Sequence, residues 1–415
     1  MKTETKGRAK RRPLKDYNPQ KVKQLLMDKI EREQTLIEKL VGNDNNIDVI
    51  YKKDKVNVIS LFSGAGGLDL GVELAGLAAV IGEENASKVF QNKKEYNKKR
   101  EDSIFHTIFS NDLFKESNET YRLNFPPTFQ HELDIRKIKE FPSADLVLGG
   151  FPCPGFSEAG PRLIDDERNF LYIHFIRCLL QAKPFAFIAE NVKGMLTLGK
   201  GEVMKQIIED FSSAGYDVQF KLVNARDYGV PQIRERVFII GVRNDIKFDY
   251  KFPPPTHGEG NGLSPYITLR DAIGDLEESP GNWFEGSFSP IYLSRNRKKQ
   301  WDEQSFTIQA SGRQAPLHPS GPKMVKVDKD NWVLPGADSL HRRLSVKEIA
   351  RIQTFPDWFT FSDGGNLGAS QNNRLNKQYK QIGNAVPVKL AKEVAMPIAK
   401  WAKENIESMK QLVLF

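Results

Sequence analysis

The sequence predicts an α/β fold: a doubly wound, mostly parallel sheet with helices on both faces, joined to a smaller irregular domain. Three observations predict it. From Val56 onward, short apolar runs alternate with amphipathic helical stretches. Several of these runs end in glycines or a polar loop, as strands do when they deliver turns to one edge of a parallel sheet. From about 245 to 335 the texture changes to Pro, Gly, Ser and Asn, opened by Pro253-Pro254-Pro255, with helical periodicity only at 268–276.

Taken in order, residues 1–55 form a basic extension. Lys10-Arg11-Arg12 lies in a polar stretch that reads as a solvated tail or as an arm on phosphate. Val22, Leu25, Leu26, Ile30, Leu36, Ile37 and Leu40 recur at helical spacing, an amphipathic helix packed on the main body or on a partner. Strands are expected at Val58–Leu61, Ala144–Leu148, Phe185–Ala189 and Arg236–Gly241. Helices are expected after the first glycine turn, at 168–182, at Ser345–Phe355 and at Val386–Glu404. The body is therefore 56–244 with 336–415, interrupted by a second domain at 245–335.

Composition narrows the classes. A chain of 415 residues with 39% hydrophobic residues can build a real core. It has no apolar run of membrane-spanning length and no signal peptide, so a soluble intracellular protein is expected. Cys153 and Cys178 are the only cysteines, which excludes a disulfide framework and a cysteine-rich zinc site. Net charge is +8, but the first 55 residues hold 15 basic and 9 acidic side chains, leaving the rest nearly balanced. Charge alone does not argue for nucleic acid.

Four features carry chemistry. Phe62-Ser63-Gly64-Ala65-Gly66-Gly67 is a turn between strand and helix, where glycines let backbone approach a ligand. A dinucleotide fingerprint would place its third glycine at Asp69, which lowers a nicotinamide or flavin reading. Glu84 stands 20 residues beyond Gly64, the spacing of a ribose-binding carboxylate. Gly149-Gly150-Phe151-Pro152-Cys153-Pro154 follows a strand, so Cys153 is placed as a nucleophile would be, or as a structural thiol. Cys178 lies inside a helical run and reads as core. Glu190-Asn191-Val192 puts a carboxylate at a strand end, a proton donor or a helix cap. Arg234 and Arg236 share one face of an extended segment, for phosphate or carbonyl contacts or as surface charge.

Phe-x-Gly-x-Gly-Gly at 62–67, Pro-Cys at 152–153, Glu-Asn-Val at 190–192, Gln-x-Arg-x-Arg at 232–236 and Gly-Asn-Ala-Val-Pro at 383–387 occur in one order. Together they resemble the cytosine-5 DNA methyltransferases, over roughly residues 56–400. The resemblance implies the Rossmann-like fold of S-adenosylmethionine-dependent methyltransferases and transfer of a methyl group to C5 of cytosine. It implies that Cys153 attacks C6, that Glu190 bonds N3 and the exocyclic amine, and that Arg234 and Arg236 support the flipped base. It assigns Phe62, Gly64, Gly66, Glu84, Asp134, Ile135, Pro152, Leu171 and Asn384 to the S-adenosylmethionine site. Leu133 stands where the family often has a glycine before the aspartate.

The second domain resembles a narrower group. Ser294-Arg295-Asn296-Arg297, Phe306–Gln314 and Leu317-His318-Pro319 are similar to target-recognition segments of bacterial GGCC-specific restriction-modification enzymes of the HaeIII type. Arg295, Arg297 and Arg313 would then contact DNA, reading guanine or holding phosphate. Pro154-Gly155-Phe156 departs from the Gln-Ser-Trp of that group. The resemblance implies duplex DNA as partner, no metal, no membrane, a monomer in the bacterial cytoplasm, and a cognate endonuclease that shares the site without needing to bind.

Other classes fit less well. A tRNA methyltransferase would keep the chemistry but leave the GGCC-like segments unexplained. A zinc cytosine deaminase would need a His-x-Glu and a Pro-Cys-x-x-Cys motif, and Cys153 has no such partner. A catalytically silent DNA-binding module would need a broken site.

Overall fold

The computed structural model describes residues 19–38, 47–152, 170–366 and 368–412. Its chain order is α1 (Pro19–Glu38), β1 (Val56–Leu61), α2 (Gly67–Ile81), α3 (Glu83–Phe90), α4 (Lys93–Lys99), β2 (Phe105–Asn111), α5 (Lys115–Asn124), β3 (Phe129–His131) and β4 (Leu146–Gly149). There follow α6 (Phe170–Ala182), β5 (Ala186–Val192), α7 (Glu202–Ser213), β6 (Tyr216–Asn224), β7 (Glu235–Arg243), α8 (Leu269–Ile273), β8 (Val325–Asp328), β9 (Asn331–Val333), α9 (Val346–Ile352), α10 (Gln371–Asn384) and α11 (Val388–Leu412).

β1 through β7 make one sheet in the order β3-β2-β1-β4-β5-β7-β6. All neighbours are parallel except β7, which runs antiparallel to β5 and β6. The doubly wound expectation is met. The central β1 buries all six of its side chains, as a strand covered on both faces must. Alternation along the strands feeds two cores. Val58, Leu146 and Leu148 join α2, α9, α10 and α11, while Ile59, Val147 and Phe187 join α6 and α7. Ile30 of α1 is buried in the second of these cores, which settles the choice left open for that helix: it packs on the body.

The four expected strands are β1, β4, β5 and β7; β2, β3 and β6 escaped the sequence reading. One intrusion matters for the site. α3 and α4 stand between α2 and β2, tied down by Tyr96 Oη on Glu73 at 2.6 Å and by Trp358 Nε1 on the Phe90 carbonyl at 2.8 Å.

α11 returns from the far end of the chain to lie against α2. Gly71 permits that contact: a Cβ there would stand 2.4 Å from Ala391 Cβ and 2.6 Å from the Val388 carbonyl oxygen.

Between 245 and 335 regular structure is sparse, as the composition predicts. α8 is five residues long and β8–β9 is an exposed hairpin. A small cluster of Tyr292, Leu317 and Met324 is supplemented by arginines. Arg343 lies 4.6 Å from the Phe288 ring centre and 5.0 Å from that of Tyr292, and donates to the carbonyls of Gly286 and Ser287. Among the described residues no helix is long and apolar enough to cross a membrane.

Candidate active site

A cavity of about 960 Å³ opens where the C-terminal ends of β1, β2, β4 and β5 meet α10. That is the edge at which doubly wound sheets bind ligands, beside the strand where the winding reverses. Of the residues assigned from sequence, Phe62, Gly64, Asp134, Ile135, Pro152, Leu171, Glu190 and Asn384 line it. Residues more than 300 positions apart are thus brought together.

The turn after β1 is strained. Phe62 has φ +54°, a left-handed conformation that costs a non-glycine residue energy, and Gly64 follows at φ +55°. Gly66 does not line the cavity. It starts α2 at φ +82°, and a Cβ there would come within 2.4 Å of the Phe125 ring, so it is a packing glycine.

Glu84 is not brought to this site either. It is exposed at the start of α3, after α2 has carried the chain back across the sheet. The carboxylate at the end of β2 is Asp112. It lines the cavity, and its oxygens accept from the Gly64 N–H at 2.9 Å and the Phe114 N–H at 2.8 Å. Burial raises its pKa. The spacing rule failed because α3 and α4 lengthen the return from α2 to β2. The signal that could have found it was Ser110-Asn111-Asp112 closing an apolar run.

Asp134 caps a short 3-10 turn and pairs with Arg136 at 2.5 Å. Burial pushes its carboxyl up, but the hydrogen bonds from Arg136 outweigh this and hold it below the usual range.

Glu190 sits near the end of β5, and its side chain is almost wholly buried. Oε1 meets Arg236 Nε at 2.9 Å. The pairing across the antiparallel β5–β7 ladder sets this contact, since Arg236 lies opposite Val192. Burial raises the carboxyl pKa despite Arg236 and Arg234 nearby. Such a group holds a proton more readily than an exposed glutamate does. Gly150, in the loop after β4, passes directly above it; a Cβ there would be 3.2 Å from Glu190 Oε2. Asn191 steadies that loop by donating to the Phe151 carbonyl at 3.0 Å. Pro152 is the last described residue of the loop, and Cys153 lies outside the described residues. Cys178 is fully buried in α6 and burial pushes its thiol far up, so it is inert core.

Arg234 departs from its assigned part. It is 1% exposed and does not line the cavity. Its guanidinium donates to the backbone carbonyls of Gly383, Ala385 and Ile308, so it clasps backbone. The three arginines assigned to DNA from the sequence also separate. Arg295 and Arg313 are exposed, whereas Arg297 is buried and donates to the Tyr292 carbonyl at 3.0 Å and to Gln314 Oε1 at 2.6 Å. Arg297 holds the fold of its segment and is not free to reach a base.

A doubly wound sheet with a large cavity at its switch point, and a buried carboxyl of raised pKa on the cavity wall, is the architecture of an enzyme with a small-molecule site at the sheet edge. Comparison with known proteins makes this specific. The C-5 cytosine-specific DNA methylase family matches residues 56–400. The chain is 65% identical to type II methyltransferase M.BsuRI of Bacillus subtilis over 98% of this chain and 94% of that one. It is 61% identical to type II methyltransferase M.BspRI of Lysinibacillus sphaericus over 98% and 96%. Solved structures share the fold at lower identity. Spodoptera frugiperda DNMT2 has a TM-score of 0.54 at 18% identity, covering 83% of this chain and 99% of that one. S. pombe Dnmt2 has 0.53 at 14%, covering 86% and 99%. The chain belongs to the C-5 cytosine-specific DNA methylases: it is a DNA (cytosine-5) methyltransferase of the restriction-modification type, and DNA is its substrate.

Proposed function

We propose that the enzyme transfers a methyl group from S-adenosylmethionine to C5 of cytosine within GGCC duplex sites, by flipping the base and attacking C6 with Cys153. The observation that carries the chemical part is Glu190: a buried, arginine-held carboxyl with a raised pKa, on the wall of a cofactor-sized cavity and directly under the loop that leads into Cys153.

The cavity suits the cofactor in size and in kind. A volume of about 960 Å³ is at the upper end of small-molecule sites. Phe62 offers an aromatic face, Asp134 and Asp112 offer acceptors for amine and hydroxyl groups, and Gly64, Ile135, Pro152, Leu171 and Asn384 complete the walls. We assign Asp112 the ribose contact first sought at Glu84. When bound, the cofactor supplies an electrophilic methyl group.

The chain's own residues do the rest. Cytosine C5 is a poor nucleophile and is unreachable inside a duplex, so the base must leave the stack. The Cys153 thiolate adds to C6 while protonated Glu190 donates to N3, and the resulting enamine is nucleophilic at C5. After methylation a base removes the C5 proton and the thiolate departs as the ring double bond re-forms. Arg236 keeps Glu190 aimed and its charge balanced.

The GGCC reading rests on the recognition-like segments, with Arg295 and Arg313 as candidate readers or phosphate holders. In the cell the enzyme would act as a monomer in the bacterial cytoplasm, protecting host DNA at a site shared with a cognate endonuclease it need not bind. Bisulfite mapping of random-sequence duplexes exposed to the protein and S-adenosylmethionine tests both parts. We expect methylation confined to GGCC, and none with Cys153→Ser although duplex binding persists. Methylation by Cys153→Ser near the wild-type rate would refute the nucleophile; a different consensus would refute the site.

A further inference from the structure

The cofactor cavity and the recognition segment meet at a buried polar joint. On one side is the Gly383–Val386 segment, the end of α10 and its exit toward α11, whose Asn384, Ala385 and Val386 line the cavity. On the other is the segment from Ser305 to Ala310, which from Phe306 on belongs to the recognition-like stretch. Between them stand three polar side chains: Gln232 and Gln353 with no solvent exposure and Arg234 with 1%.

The side-chain hydrogen bonds of these three cross the seam or brace it. Arg234 donates to Gly383 and Ala385 in the cavity-lining segment at 2.8 and 3.0 Å, and to Ile308 in the recognition segment at 3.3 Å. Gln353 donates to Ile382 at 2.7 Å and Ala385 at 3.1 Å. Gln232 donates to Gln353 Oε1 at 2.9 Å and accepts from the Ile308 N–H at 2.9 Å. The two backbones also touch directly. A Cβ on Gly383 would stand 2.4 Å from the Gln309 carbonyl oxygen.

The joint has little slack. Its donors and acceptors are sealed from water, so a displaced partner leaves a buried group unpaired. Next to Gln353, Thr354 holds φ +61°, an unfavourable backbone conformation for a β-branched residue, and its Oγ1 accepts the Lys389 N–H at the start of α11. Strain of this kind persists where surrounding contacts over-determine it.

We propose that Arg234, Gln232 and Gln353 are positioning residues that couple the two ligands: filling the cavity fixes the Gly383–Val386 segment at the end of α10, and through the joint fixes the backbone that DNA would meet. The coupling is reciprocal, so each ligand tightens the other by the same factor. The inference rests on the cofactor reading of the cavity and assigns these residues no contact with either ligand.

The test is a binding cycle. S-adenosylhomocysteine affinity is measured by calorimetry with and without a duplex carrying the mapped site, for wild type, Gln353→Met and Arg234→Lys, each well below its melting temperature. We expect wild type to bind S-adenosylhomocysteine at least about fivefold more tightly with DNA present, the low end of allosteric couplings. We expect that factor to fall towards one in both variants, with the affinity for either ligand alone changing less than the factor does. A merely structural role would lower melting temperature and leave the factor intact. An unchanged factor in either folded variant, or no coupling in wild type, overturns the proposal. Failure of wild type to bind S-adenosylhomocysteine at all would instead overturn the cofactor reading.

Discussion

In the sheet, β1 lays six buried side chains between two helical layers, five of them apolar or hydroxyl-bearing and only Asn57 strongly polar. In the stretch around the recognition segments the buried groups include Arg297, Lys298 and Arg343. Lys298 is buried enough to pull its ammonium down to about 8, and it donates to the Ser320 carbonyl. The first region is held by apolar area, which tolerates exchange of similar volumes. The second is held by cations pointing at particular carbonyls and rings, which fix backbone position without a sheet or long helix. On the proposed reading, in which this stretch meets DNA, the second arrangement fixes the backbone it would present.

The largest expected effect falls in the first region and should spare its stability. Glu190→Gln keeps the hydrogen-bonding shape but cannot supply a proton, so methyl transfer should slow by at least about 10²-fold, the lower end of acid–base contributions. Single-turnover rates would check this, with the melting temperature as control; an unchanged rate would reduce Glu190 to a structural partner of Arg236.

Next comes a substitution in the second region that should do the reverse. Arg343→Met removes a guanidinium that bonds two carbonyls and lies over aromatic rings. Its loss should cost about 2–3 kcal/mol, the scale of a hydrogen bond to a charged group. Hydrogen exchange should rise first around 284–297 while β1 and β4 stay protected. Uniform loosening of sheet and loop together would erase the distinction drawn between them.

The smallest effect concerns the two exposed arginines. Arg295→Ala and Arg313→Ala should each leave folding intact. A base reader should lose about 1–3 kcal/mol of discrimination at one position. A phosphate holder should weaken all duplexes alike and flatten the salt dependence. Methylation profiles on random duplexes at two salt concentrations separate the cases, and two variants with wild-type preference and affinity would remove both residues from the interface.

The same division explains what the sequence disclosed. β1, β4, β5 and β7 were legible because burial on both faces leaves a run of apolar residues. β2 was not, since His106 and Thr107 interrupt it where the strand is only half covered. With β2 unrecognised, Asp112 at its end carries no signal, and the ribose spacing points to Glu84 instead. The family resemblance carries Phe62, Asp134, Leu171 and Asn384 to the cavity, but nothing in it shows the strained turn at Phe62. Arg297 and Arg234 could not be told from ligand-facing arginines, because a lone arginine in sequence carries no sign of which carbonyls will surround it.

The returning α10–α11 segment makes the cavity depend on residues at the far end of the described chain. The cavity is lined in part by residues within 60–69 and in part by residues within 376–386, and the returning segment is tied to the body by pairings as distant as Thr120 with Gln381 and Ala79 with Lys403. Contacts of such high sequence separation carry a large loop-closure cost. Loss of the residues from 371 on would therefore strip the cavity of its Asn376–Val386 lining while leaving the seven-stranded sheet its full set of strands.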